Sequence, residues 1–335
     1  MSDAEAVYDA LREEIGTVLV GNEEIVERLT ISLLTRGHVL LEGVPGVAKT
    51  TIANLFAEAS GLTYKRIQMT PDILPADITG TRIYREPTGE FELQRGPIFG
   101  NIVVADEINR ATPKAQSALL EAMQESHVTI DGDTLSLPDP FMVIATQNPI
   151  EMEGTFELPE AQRDRFQFKL LVDIPDQHNE RKLLDRFDAN PLLDADRIQQ
   201  VISEERIRSL REQVTEQYVD DTVKAYILGI VEATRSSPDI DIGASPRATL
   251  TLMDAGKARA AIHGRGYVLP DDIKQLAKPV LRHRLIRSTD AELTDRSIDA
   301  VIDSLLESVP VTDVAEPDDT AQHRQDNEVE PSSKS

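Results

Sequence analysis

The chain has 335 residues, enough for more than one domain and a sizeable buried core. Zero cysteines exclude disulfides, thiolate zinc sites and cysteine nucleophiles, and no apolar run reaches the roughly 18 residues of a membrane-spanning helix. A net charge of −24, with Arg far exceeding Lys, leaves no basic patch suited to duplex DNA. Such acid-rich surfaces suit salt-saturated cytoplasm, where repulsion is screened over a few Å, and point to a halophilic source; a basic binding partner is the rival explanation. The start, Met1-Ser2-Asp3-Ala4-Glu5, lacks the basic and apolar stretches of a signal peptide, so a cytoplasmic location is expected.

In chain order, a first helix is expected from Ala4 to about Val18, where Val7, Leu11 and Ile15 recur at helical spacing, ending near Gly21. A second helix places Ile25, Leu29 and Leu33 on one face and runs into the strand His38-Val39-Leu40-Leu41. Then comes Gly43-Val44-Pro45-Gly46-Val47-Ala48-Lys49-Thr50, followed by Thr51-Ile52-Ala53-Asn54-Leu55-Phe56 with a helical pattern. Strand, glycine-rich loop, Lys-Thr and helix form a phosphate cradle. Gly43 and Gly46 let the loop curl with its N–H groups inward, and the helix N-terminus adds partial positive charge. Lys49 is expected on the β/γ-phosphates and the Thr50 hydroxyl on Mg²⁺. Ala48 departs from the general template, which asks for glycine before the lysine, and its Cβ restricts φ and ψ. A Gly/Pro turn beside a solvated lysine is the bland alternative.

Asn101 to Ala105 is a short β-branched run ending in Asp106-Glu107, as suits a strand buried on both faces. Asp106 is expected in the Mg²⁺ shell, and Glu107 is expected to orient and deprotonate the attacking water. His127 to Ile130 and Thr134 to Leu137 flank Asp131-Gly132-Asp133, which predicts a hairpin. A third strand, Phe141 to Gln147, ends in Asn148-Pro149; Asn148 is placed to position water or touch the γ-phosphate, although Asn-Pro is also an ordinary turn. Leu158 to Phe166 reads as a short helix entering the last strand of the first domain. It offers Arg163 and Arg165 as candidates for an arginine supplied across a subunit interface.

From about residue 178 the apolar spacing is purely helical: Leu183, Leu184 and Phe187; Val223, Ile227 and Ile230; Ala248, Leu252 and Ala255; Ile273, Leu276 and Val280. Ser245-Pro246-Arg247 opens one of these helices, with Ser as N-cap and Pro in the first turn. Arg247 there opposes the helix dipole, so a compensating anion such as a phosphate is expected. Beyond Val311, seven acids and two bases without periodicity predict a disordered acidic tail.

The ordered series Gly43…Lys49-Thr50, Asp106-Glu107, Asn148, Arg165 and Ser245-Pro246-Arg247 resembles the AAA+ ATPases: Walker A, Walker B, sensor 1, arginine finger and sensor 2. The phrases Glu42 to Thr50, Ala145-Thr146-Gln147-Asn148-Pro149 and Leu158-Pro159-Glu160-Ala161-Gln162 narrow the resemblance to the MoxR type, in which Ala48 is usual. Pro71 to Gly80 with Arg82 to Leu93 looks like the helix-2 insert of that clade, and the hairpin like its pre-sensor-1 hairpin.

The resemblance implies an α/β fold: a P-loop domain with a five-stranded parallel sheet between helices over 1–176, an all-α lid over 177–310, and the tail over 311–335. It assigns Gly43, Val44, Pro45, Gly46, Val47, Ala48, Lys49, Thr50 and Thr51 to ATP, with nucleotide between the sheet domain and the lid bearing Arg247, and Gly21 to the segment contacting adenine. It implies Mg²⁺-dependent ATP hydrolysis, a homo-oligomeric ring (a hexamer), a von Willebrand factor A domain partner, and a protein client to be remodelled during maturation of complexes. A cofactor-insertion motor like the magnesium chelatase ATPase subunit, a nucleic-acid motor and a non-hydrolysing switch are the alternatives. The hairpin from Glu125 to Leu137 holds three acids and no Lys or Arg, which counts against gripping nucleic acid.

Overall fold

The structure, a computed structural model, describes residues 2–87, 89–149, 154–189 and 198–311. The acidic tail beyond Val311 and Thr88 of the insert's turn lie outside the described residues. Helices α1 (Asp3–Gly16) and α2 (Glu23–Leu34) come first, α1 opened by a capping box in which Ser2 and Glu5 bond each other's backbone. Strand β1 (Val39–Glu42) leads through the glycine-rich loop into α3 (Lys49–Ser60) and β2 (Tyr64–Gln68). The insert follows as α4 (Pro75–Thr79) and the hairpin β3 (Gly80–Arg85) and β4 (Glu90–Arg95). Next come β5 (Ile102–Asp106), α5 (Pro113–Glu125) and the second hairpin, β6 (His127–Ile130) and β7 (Asp133–Ser136), as its sequence predicts. Strand β8 (Met142–Gln147), α6 (Glu160–Arg163) and β9 (Phe168–Leu171) end this part.

The main sheet has five strands in the order β2-β5-β8-β1-β9, and every pairing is parallel. Its inner strands read as continuous apolar runs because both faces are covered. The period of two sends Val39, Leu41, Val104 and Ile144 to the face packed by α1, α2 and α3. Leu40, Val103, Ala105 and Val143 go to the face packed by α5.

The helical part comprises α7 (Gln177–Ala189), α8 (Glu204–Thr215), α9 (Asp221–Ser236), α10 (Pro246–Ile262), α11 (Pro270–Leu281), α12 (Thr289–Leu293) and α13 (Ile298–Ser308). It is not purely helical: β10 (Ile240–Ile242) pairs antiparallel with β11 (Ile286–Arg287). Ile240-Asp241-Ile242, bounded by Pro238 and Gly243, is too short for a periodic signal. Leu183 and Leu184 form helix as their spacing predicts, yet both are exposed. Buried Leu11 and Leu29 of the first two helices continue the hydrophobic cluster from Phe168 on the sheet to Leu252 and Ile273 of the helical part. Charges join the same elements. Glu27 on α2 pairs with Arg28 at 2.9 Å, Arg259 at 3.1 Å and His263 at 2.9 Å.

Two buried imidazoles hydrogen-bond to the main chain. His38 accepts from the Val143 N–H through Nδ1 and donates from Nε2 to the Met123 carbonyl, each at 3.0 Å, tying β1 to β8 and α5. His283 donates from Nε2 to the Phe166 carbonyl at 2.9 Å. Burial pushes the His38 pKa from 6.5 to about 4, and burial with the neighbouring Arg284 charge holds His283 well below 6.5. Below 6.5 and above each depressed pKa, the unfolded chain binds the proton that the folded chain refuses. Stability therefore falls as pH drops, by about 1.4 kcal/mol per pH unit for each histidine. Urea unfolding at pH 5.5 should give a stability about 2 kcal/mol below that at pH 7. An unchanged stability would mean that both imidazoles accept protons in place.

Candidate functional site

The parallel register brings the C-terminal ends of β1, β8 and β5 side by side, with Glu42 opposite Gln147 and Ala105 opposite Ala145. Beyond those ends lies a cleft of about 440 Å³ whose lining includes Pro45, Lys49, Thr50, Asp106, Glu107 and Asn148. Gly46, Ala48 and Thr51 border it as well, whereas Gly43, Val44 and Val47 of the same loop do not line it. A Cβ on Gly43 would sit 2.3 Å from the Val172 carbonyl, so backbone packing demands glycine there. Gly46 has φ +87°, the second position where the turn requires it. Val47 is buried in the core.

Helix α3 starts at the cleft with no side chain capping its first turn, so its N–H groups face an anion site. Its N-cap is Ala48, at φ 63° and ψ 25°, a left-handed conformation that costs a non-glycine residue about 1 kcal/mol. The Lys49 ammonium donates to the loop carbonyls of Gly43 at 2.5 Å and Val44 at 2.9 Å, folded back against the cradle.

Asp106 is the centre of the opposite wall. It accepts from the Thr50 hydroxyl at 3.0 Å, the Thr146 hydroxyl at 2.8 Å and Nε of Arg66 at 2.7 Å. Thr146 in turn accepts the Glu107 N–H at 3.0 Å, which fixes Glu107 in a left-handed backbone conformation with φ 56°. The Glu107 carboxylate accepts from Gln68 at 3.1 Å and Arg110 at 3.0 Å. Thus Arg66 and Gln68, two residues apart on one face of β2, hold the two carboxylates that end β5. The sequence carries no motif for Arg66 or Gln68, which only the pairing of Gln68 with Asp106 across the strands reveals, and Thr146 sits in the Ala145 to Pro149 phrase without a role of its own. One hydroxyl and one carboxylate at the cleft rim are hard oxygen donors suited to Mg²⁺, which keeps most of its shell as water and phosphate oxygen.

The remaining candidates fall elsewhere. Gly21, at φ 74°, lines a small crevice with Leu19, Val20 and the α7 cations Lys182 and Arg186; Arg186 donates to the Gly16 carbonyl at 2.8 Å. Arg165 donates to the Leu120 carbonyl at 2.6 Å and shares a cavity of about 250 Å³ with Arg247, Arg284 and Arg36. No residue lining that cavity lines the cleft at Lys49. Arg163 does not line it, so of the two arginine candidates only Arg165 stands with Arg247. Arg247 thus stands apart from the cleft that Lys49 of its own chain lines. The anion expected beside Arg247 is present, but it is the Asp164 carboxylate at 3.8 Å.

A family model for the ATPase family associated with various cellular activities (AAA) matches residues 38–168, and one for the AAA lid domain matches 232–305. The chain is 44% identical over 310 residues to Chaperone MoxR1 of Mycobacterium tuberculosis, covering 90% of this chain and 81% of that protein. It is 31% identical to Protein MoxR of Methylorubrum extorquens, covering 92% and 95% of the two chains. A crystal structure of a Cytophaga hutchinsonii protein, 39% identical, superposes with a TM-score of 0.85 and covers 93% of this chain and 97% of its own.

Replacing Ala48 with glycine relieves the left-handed strain and should raise stability by up to about 1 kcal/mol, part of it offset by a more flexible unfolded chain. Denaturant unfolding of the Ala48→Gly protein reads this directly; a loss of stability would place the loop in another conformation.

Proposed function

The chain belongs to the MoxR-type AAA+ ATPases, and from that premise we propose that it couples Mg²⁺-dependent ATP hydrolysis in an oligomeric ring to remodelling of a protein client. The observation that carries the reading is the division of functional residues between two surfaces. The cleft holds the loop, the helix N-terminus and the Asp106-Glu107 pair, whereas Arg165 and Arg247 meet in a separate cavity. Cations kept away from their own chain's cleft serve phosphates on a neighbouring subunit, and a closed ring gives every cleft such a neighbour.

In this reading Lys49 leaves the Gly43 and Val44 carbonyls to engage the β/γ-phosphates, and the N–H groups from Gly46 to Thr51 cradle them. Thr50 and Asp106 hold Mg²⁺, which when bound neutralises phosphate charge. Glu107 turns from Gln68 and Arg110 to take a proton from the attacking water, and Asn148 orients that water. Arg165 and Arg247 of the adjacent subunit stabilise the charge that develops on the transferred phosphoryl group. The crevice at Gly21 receives the adenine.

A chaperone-like role is supported by likeness to a relative named as a chaperone; maturation of protein complexes and a von Willebrand factor A domain partner belong to the same proposal. A cofactor-insertion motor is the second reading, since a magnesium-chelatase subunit homologue from Methanocaldococcus jannaschii is 28% identical over 56% of this chain. The acidic surface fits a cytoplasmic, halophilic setting.

Glu107→Gln should retain nucleotide binding while steady-state hydrolysis falls by about 100-fold or more. Equal turnover in that variant would remove Glu107 from its role. Arg165→Ala and Arg247→Ala should each lose hydrolysis as homo-oligomers and regain it when mixed with Lys49→Ala subunits, whose intact arginines reach the intact clefts. Absence of rescue for both would assign the arginines to their own chain.

A further inference from the structure

Asp164 lies beside Arg165 in sequence and touches the helical domain through three side chains. Its carboxylate accepts from Nε of Arg284 at 2.7 Å and from the Ser245 hydroxyl at 3.2 Å, and Arg247 stands 3.8 Å away. Arg284 is buried, and it also donates to the main-chain carbonyls of Phe166 at 2.7 Å and Gln167 at 3.1 Å. It also donates to the Asp164 carbonyl at 3.4 Å and to the Val280 carbonyl near the end of α11. Burial lowers its pKa to about 10 against the opposing pull of Asp164, which leaves it charged at neutral pH. The adjacent His283 and Arg282 hold the same segment through the carbonyls of Phe166 and Lys169, at 2.9 Å and 3.3 Å.

Ser245 supplies an independent observation. It occupies the N-cap of α10 with extended backbone, yet its side chain makes no bond to the helix it begins. An N-cap serine ordinarily contributes about 1 kcal/mol by accepting from the first turn. Here the hydroxyl is turned across the domain boundary to Asp164.

We propose that Asp164 and Arg284, with Ser245, are positioning residues that lock Arg165 of the sheet domain and Arg247 of the helical domain into one unit, so that both guanidinium groups enter the neighbouring ATP site together. The inference rests on the reading of Arg165 and Arg247 as residues acting in trans. Two long arginine side chains on separate domains would otherwise have to be ordered independently at each encounter. A displacement of about 1 Å in such groups costs up to about 100-fold in rate. Arginine rather than lysine is required at 284, because one planar fork must reach the carboxylate and several main-chain carbonyls at once.

Asp164→Asn keeps the side-chain shape and removes the charge, and Ser245→Ala removes the contact from the lid without leaving a buried charge unpaired. In assembled full-length protein, kcat should fall about tenfold or more for Asp164→Asn and several-fold for Ser245→Ala. The KM for ATP and the affinity for a fluorescent ATP analogue should stay within about twofold, because the cleft is untouched. Mixing Asp164→Asn chains with Lys49→Ala chains should restore turnover per intact cleft. Arg165→Ala in the same assay separates the two ideas: if mixing fails to rescue it, the in-trans reading falls first. If mixing rescues Arg165→Ala, while Asp164→Asn keeps wild-type kcat or loses activity that mixing does not restore, the positioning role is overturned. Should Asp164→Asn not fold, Ser245→Ala decides by the same kcat and mixing readouts.

Discussion

Parallel hydrogen bonding of β8 between β5 and β1 is the constraint on which the site depends. A parallel sheet delivers all its C-terminal strand ends to one edge, and packing on both faces leaves those ends as the natural place for polar side chains. The register then decides which groups meet. With Ala105 opposite Ala145, Thr146 comes level with Asp106 and its hydroxyl links the carboxylate to the Glu107 N–H. His38 reinforces this register from beneath, joining β1 to a β8 main-chain N–H through a buried imidazole. Sheet burial and site geometry are therefore one problem, since a slip of one residue would turn core side chains outward and separate the loop from Asp106.

Much was legible in the chain: the first two helices, the inner strands, the hairpin around Gly132 and most of the later helices, whereas the hairpin of the insert was not read as one. The P-loop and the Asp106-Glu107 pair were legible too, because consecutive residues carry their chemistry. What could not be read depends on contacts between distant residues. Tyr64-Lys65-Arg66-Ile67-Gln68 looks like a polar edge strand, and only its pairing with β5 turns Arg66 and Gln68 toward the two carboxylates. Arg284 and Asp164 are 120 positions apart, and nothing local distinguishes a buried arginine from a solvated one. Motif order gave Arg165 and Arg247 as candidates, but which phosphates they face is a property of domain arrangement, which no spacing encodes.

Local preference and global fold disagree at two positions of the cleft. Ala48 and Glu107 both adopt left-handed backbone that neither side chain favours, and both stand where the backbone changes direction at a strand end or helix start. The sheet and its packing hold them there. Such conflict is what a functional site shows when geometry at the ligand outranks propensity. At Ala48 the strain turns the chain so that the N–H groups of α3 open onto the cleft. At Glu107 it directs the carboxylate over the cleft and away from the core below.

Separating the cleft from the arginine cavity has a mechanical consequence. In the proposed ring, a subunit that binds ATP with its own loop depends on its neighbour for the cations that favour bond cleavage. In that neighbour, the cations are joined through Asp164 and Arg284 to the start of α10 and the end of α11. Rotation of the helical domain against the sheet thus moves Arg247 directly and drags the Arg165 segment with it, through a buried ion pair whose rupture would strand a charge. Two arginines on independent supports would report two motions with partial effect each. With Arg247 beside the Asp164 carboxylate and Arg165 next to Asp164 in the chain, the two report a single motion, and in the proposed ring each phosphate site reads the domain angle of the next subunit.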